Sequence, residues 1–172
     1  MNKLGLSKKI IGVVLVVLLV AVGAYFISKH NNKNISSSQT STSNSTPQTS
    51  GTTLDLSDHQ LTSLPESVLS QTNITVLNLS NNQLTSLPAG ISELTNLQVL
   101  NVENNRLQTF PPEISQLTNL REILANNNRI TSLPADLGSM TWLKLLDVSG
   151  NNIPISTINQ IKAELPTTQI KT

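Results

Sequence analysis

Leu54, Leu77, Leu100, Ile123 and Leu146 stand 23 residues apart, and the interval never slips across this part of the chain. Counting the period from Gly51, apolar residues recur at positions 1, 4, 6, 11, 14, 18 and 21; in the second repeat these are Ile74, Leu77, Leu79, Leu84, Leu87, Ile91 and Leu94. Positions 4 and 6 enclose a polar residue, which is the period-two alternation of a short strand. Positions 18, 21 and 1 of the next repeat step by about three, which suits a helical or 3₁₀ return segment. Stacking one strand on the next predicts a parallel sheet on one side of each turn, returns on the other, and a leucine core enclosed between them.

Asparagine holds position 9 as Asn82, Asn105, Asn128 and Asn151, and proline follows position 14 as Pro65, Pro88, Pro111 and Pro134. A short carboxamide carries both donors and an acceptor, so it can satisfy backbone groups where a strand ends and the chain turns. These four asparagines are therefore expected to form a structural ladder rather than a ligand site, because a buried polar group must be paired. His59 takes position 9 in the first repeat, Gly51 replaces the leucine of position 1 and Gln71 sits at position 21, so a frayed N-terminal edge is expected. At the other end Pro154 breaks the pattern after Ile153. Ser156 to Leu165 then carries Ile158, Ile161 and Leu165 at helical spacing, with Thr157 and Gln160 placed as a capping box. Residues 154–172 are thus expected to be a capping helix, stopped by Pro166, and a tail.

The segment Ile74-Thr75-Val76-Leu77-Asn78-Leu79-Ser80-Asn81-Asn82-Gln83-Leu84 resembles the L-x-x-L-x-L-x-x-N-x-L signature of the leucine-rich repeat family. The L-P-x-x-[IL] segment that follows is similar to the 23-residue subclass of Ras-suppressor-like and many bacterial repeat proteins. The resemblance covers residues 51 to about 165 and implies an α/β solenoid, with short parallel strands on a concave face and helical or 3₁₀ turns on the convex face. Four to five repeats are expected over residues 51–153.

Ahead of the repeats the pattern changes. Ile10 to Ile27 is an unbroken run of 18 apolar or small residues, about 27 Å as a helix, which nearly matches a ~30 Å hydrocarbon core. A single transmembrane helix over 10–27 is expected, preceded by a basic segment, 1–9. A cleaved signal peptide is the alternative, with Ala21-Val22-Gly23 as a small-x-small site, although Tyr25, Phe26 and Ile27 prolong the run beyond it. A buried globular helix fits poorly, since the stretch has no polar face. Residues 28–50 are rich in serine, threonine and asparagine and cannot bury enough surface to offset ordering, so they read as a flexible stalk reaching roughly 25 Å.

The net charge of +1 conceals an asymmetry. Residues 1–33 hold five lysines and no acid (+5), whereas residues 51–172 hold six bases and ten acids (6 − 10 = −4). Lys3, Lys8, Lys9 and the amino terminus against Lys29 and Lys33 favour a cytoplasmic N-terminus by a narrow margin, placing the repeats outside a bacterial cell membrane. The sequons at Asn34 and Asn44 matter only in a eukaryotic secretory pathway, which nothing else indicates. With no cysteine, disulfides, thiolate zinc sites and thiol nucleophiles are excluded. Aromatics are 2% of the chain, and with an acidic repeat domain this argues against nucleic acid as a partner.

Asp55, Ser57 and His59 are the one group that evokes nucleophilic catalysis, but in an extended strand they point the same way in a row rather than toward one another. No phosphate loop, metal motif or dinucleotide fingerprint occurs, so neither enzyme activity nor a cofactor is expected. The strand face is more telling, because positions 3, 5, 7 and 8 carry no core duty and line the surface by which solenoids bind. The candidate partner-binding residues are Val76, Asn78, Val99, Asn101, Glu103, Glu122, Leu124, Asn126, Leu145 and Asp147. Leu124 departs from the Asp or Asn of the other repeats, and with Leu145 it suggests an apolar spot rimmed by Glu103, Glu122 and Asp147. Valine at 76 and 99 also simply suits a strand. Trp142, in a column of Asn73, Asn96 and Asn119, is expected to pack beside the C-terminal cap. A protein-binding or adhesion module displayed outside the membrane is the favoured reading, and a cytoplasm-facing scaffold of reversed topology is the alternative.

Overall fold

The proline that follows position 14 sets up each return. Its φ near −65° delivers the chain in extended conformation, and its carbonyl accepts from the N–H three residues on: Val68 N to Pro65 O, Ile91 N to Pro88 O, Ile114 N to Pro111 O and Leu137 N to Pro134 O, each 3.0 Å. The computed structural model, which describes residues 51–172, accordingly has one short return per repeat. The first is α-helical, α1 (Glu66–Leu69); the next three are 3₁₀, η1 (Ala89–Glu93), η2 (Pro112–Gln116) and η3 (Ala135–Ser139). Each buries its position-18 residue, namely Val68, Ile91, Ile114 and Leu137.

The strands are β1 (Thr52–Asp55), β2 (Ile74–Asn78), β3 (Val99–Asn101), β4 (Glu122–Leu124), β5 (Leu145–Asp147) and β6 (Gln169–Lys171). They form one parallel sheet in sequential order, with Leu77 beside Leu100, Leu100 beside Ile123 and Ile123 beside Leu146. This is the expected parallel-strand solenoid, its core the leucine columns between sheet and returns. Leu77, Leu100, Ile123 and Leu146 are fully buried, and Phe110, at position 14, is the largest side chain enclosed.

The C-terminal region departs from expectation twice. The helix α2 (Ile155–Glu164) has Pro154 at its N-cap and no side-chain cap hydrogen bond. Thr157 therefore lies inside the first turn and forms no capping box, while Gln160 donates instead to Glu164 Oε1 at 2.9 Å. Beyond Pro166 the chain is not merely a tail, because Gln169–Lys171 adds β6 to the sheet with Ile170 beside Leu146. The basic segment, the transmembrane run and the stalk (1–9, 10–27 and 28–50) lie outside the described residues. Among the described residues no helix is long and apolar enough to cross a membrane.

Candidate functional site: the strand face

The ladder at position 9 holds the strand face in place. Asn105 Oδ1 accepts from Leu84 N in the preceding repeat at 2.9 Å. Its Nδ2 lies 2.9 Å from Leu79 O, 3.1 Å from Val102 O and 3.1 Å from Glu103 O. Asn82, Asn128 and Asn151 repeat the arrangement. The position-6 carbonyls of Leu79, Val102 and Ala125 each accept from two asparagines, one in their own repeat and one in the next. His59 breaks this ladder. Its ring nitrogen Nδ1 bonds the carbonyl of Ser57, and only its main-chain N–H joins the column, donating to Asn82 Oδ1 at 3.1 Å.

Position 8 has a duty that the sequence pattern hid. Asp58, Asn81, Asn104, Asn127 and Gly150 all take positive φ, between 54° and 68°, the left-handed region that asparagine, aspartate and glycine enter most readily. Asn104 Nδ2 donates to Asn81 Oδ1 at 2.9 Å and Asn127 Nδ2 to Asn104 Oδ1 at 3.1 Å, so a second, exposed asparagine ladder runs beside the first. A Cβ on Gly150 would lie 2.5 Å from Asn127 Oδ1, which closes that column to a side chain. These residues shape the turn and are not free for a ligand, contrary to the expectation that position 8 carries no core duty.

Position 5 is also partly structural. Its carboxamide or carboxylate accepts from the main-chain N–H two residues on: Ser57 N to Asp55 at 3.0 Å, Ser80 N to Asn78 at 3.1 Å, Glu103 N to Asn101 at 2.9 Å and Ser149 N to Asp147 at 3.2 Å. These are local turns of the kind short acceptor side chains make. Asp55 also takes the Ser57 hydroxyl at 2.7 Å, and the Ser57 N–H and hydroxyl hold its pKa below the usual carboxylate value. The Ser57 hydroxyl thus serves Asp55, not His59, and a catalytic triad is not assembled. Burial works against the Asp147 carboxylate, but the Ser149 hydroxyl and N–H and the Lys171 ammonium, 3.4 Å away, outweigh it and lower its pKa.

Leu124 has no acceptor to offer. Two residues beyond it, Asn126 Oδ1 is buried without a hydrogen-bond partner. Among the described side chains it is the one such atom. Leu124 lies between Asn101 and Asp147 on the neighbouring strands, with Glu122 beside Leu145. The structure therefore brings Leu124, Leu145, Glu122 and Asp147 onto adjoining strands, and Val76 sits directly beside Val99. All the candidate residues are half-buried except Asp147, which is buried. β6 extends this face by Gln169 and Lys171, which the sequence pattern missed. Trp142 keeps the bonding role of its column: its Nε1 donates to Leu117 O at 3.1 Å, as Asn119 Nδ2 donates to Thr95 O at 2.9 Å.

Among known families, the one described as leucine-rich repeat region matches residues 54–165. A leucine-rich repeat protein of Leptospira interrogans is 34% identical with a TM-score of 0.64, over 66% of this chain and 29% of that one. Internalin C2 of Listeria monocytogenes is 27% identical with a TM-score of 0.59, over 69% of this chain and 50% of that one. Internalin F of the same species, at 24% identity and a TM-score of 0.52 over 63% of this chain, shares the fold. The chain thus spans half or less of the length of each. No curated protein sequence matches it.

Proposed function

Because the chain belongs to the leucine-rich repeat family, we propose that it is a membrane-tethered repeat module that binds a protein through its strand face, without catalysis. Residues 10–27 are the tether in the bilayer, 28–50 the stalk, and 51–172 the recognition domain on the outer side. Support for the tether is the 18-residue apolar run, which suits a hydrocarbon core; support for recognition is the family itself, whose members commonly mediate protein–protein interaction.

The observation that carries the reading is the pair Leu124 and Asn126. At position 5 every other strand from β1 to β5 spends an asparagine or aspartate on the turn that follows. Here a leucine stands instead, and an acceptor two residues away is buried and unpaired. An unpaired buried acceptor is costly, and an apolar residue rimmed by acids is the composition of a contact surface. A partner that lays an apolar side chain on Leu124 and Leu145, and toward which the Asn126 carboxamide turns to accept a hydrogen bond, would satisfy both. A photocrosslinking residue in place of Leu124, in intact cells, is expected to trap one defined protein, whereas the same residue at Thr95, on the return side, is expected to trap none. Equal trapping at both positions would dismiss the strand face as the site.

A reversed topology, with the repeats as a cytoplasmic scaffold, is the second reading. The thin margin of three lysines before the run against two after it keeps it in play. Protease added to intact cells separates the two, since outward repeats are digested and inward ones are protected.

A further inference from the structure

The charge of the repeat domain is sorted by face. The return segments, residues 64–73, 87–96, 110–119 and 133–142, carry Glu66, Glu93, Glu113 and Asp136 and no lysine or arginine. The remainder of residues 51–172 holds six acids and six bases, so the −4 of the domain resides on this face. Between the first two returns the same face opens into a groove of about 620 Å³, within the ~300–1,000 Å³ range of ligand-binding clefts.

Two local departures from the repeat make the groove. Position 19 reads Leu69, Ser92, Ser115, Gly138, and position 17 reads Ser67, Gly90, Glu113, Asp136. Leu69 leans into the space left by Gly90: a Cβ there would lie 2.9 Å from Leu69 Cδ1. The lining is mostly apolar, with Leu64, Leu69 and Pro88 among its walls, and Glu66 and Glu93, both exposed, as its charged members.

We propose that this groove docks a second partner segment, one in which a single apolar side chain is flanked by lysine or arginine. The apolar side chain fills the space beside Leu69. The flanking cations meet Glu66 and Glu93 within a field that the remaining return acids reinforce. Anionic lipid headgroups and nucleic acid are disfavoured by the same charge. The site is independent of the strand face, so either reading can fail alone.

Full-length protein in zwitterionic nanodiscs, titrated into labelled Lys-Lys-Leu-Lys-Lys, provides the test by fluorescence anisotropy. Saturable binding is expected, weakened about tenfold when serine replaces the peptide leucine and lost when glutamates replace its lysines. Leu69→Ser, which installs the residue found at Ser92 and Ser115, should weaken binding to a similar extent. Glu66→Gln with Glu93→Gln, both exposed, should weaken it further and flatten its salt dependence. Leu124→Asp should leave it unchanged. Absence of binding, equal affinity for the serine peptide, insensitivity to the glutamate changes, or loss of binding in Leu124→Asp would each overturn the proposal.

Discussion

In the middle of the solenoid each position-6 carbonyl accepts from two asparagines, whereas at the first turn Leu56 O accepts from one, Asn82 Nδ2 at 2.8 Å, because His59 stands where the second would be. The core follows the same gradient: Leu77, Leu100, Ile123 and Leu146 are fully buried, but their counterpart Leu54 is only half-buried. The C-terminal end is closed differently. The helix α2 buries Ile158 and Ile161, Leu165 at its C-cap is buried beside them, and β6 covers the edge of β5 through Val148 N to Lys171 O at 3.0 Å. A repeat is therefore as stable as the neighbours on its two sides, which is how stability is shared in stacked repeats. The polar columns do the coupling, and the leucine columns supply the burial.

The sharpest way to break the contrast between centre and edge is to cut the same core column at both places. Leu100→Ala should cost about 2 to 5 kcal/mol by leaving a cavity, and Leu54→Ala distinctly less; equal urea midpoints would erase the gradient. Next in size is Asn105→Leu, which strands the buried Leu84 N–H, at roughly 1 to 3 kcal/mol for the group left unpaired, and takes from the Leu79 and Val102 carbonyls one of their two donors. A broadened or lowered unfolding transition is expected, because the lesion uncouples the halves on either side. His59→Asn should act oppositely and give back about 1 kcal/mol by supplying Leu56 O with its second donor; a lower midpoint would show that the first turn is not an incomplete rung.

Acid should probe the other edge. The pKa of Asp147 is lowered on folding, so its contribution to stability is present above the ordinary carboxylate value near 4 and is lost as pH falls through the lower folded value. Hydrogen-exchange protection of the Val148 amide should therefore drop below about pH 4, and Lys171→Met should bring the drop to higher pH. A protection factor independent of pH would detach the ion pair from the closure of the sheet.

Much of this was legible because a fixed interval turns each column into repeated measurements of one environment. The parallel strands, the returns and the position-9 ladder all follow from columns whose residue type hardly varies. What escaped notice lacked that redundancy. β6 is three residues long with a single apolar member, Ile170, and lies 24 residues beyond Leu146 rather than 23. The capping box failed because Pro154 already delivers the chain into α2 and leaves Thr157 within the first turn. Position 8 was misread because polarity alone does not distinguish a side chain that waits for a ligand from one that tolerates positive φ. At position 5, likewise, Asn78, Asn101 and Asp147 looked available for a partner, yet each has an oxygen committed to the turn two residues on. Leu124 was visible as a departure, but the unpaired Asn126 Oδ1 beyond it required coordinates.

That departure allows the most direct test of the account, in which Leu124 gives up a structural bond for recognition. Leu124→Asn restores the acceptor that Asn78 and Asn101 provide at the same position, so the thermal midpoint should rise, by an amount corresponding to about 0.5 to 1.5 kcal/mol. Partner trapping by a photocrosslinking residue at the adjoining Leu145 should at the same time be lost. A lower midpoint, or trapping undiminished by the substitution, would contradict it.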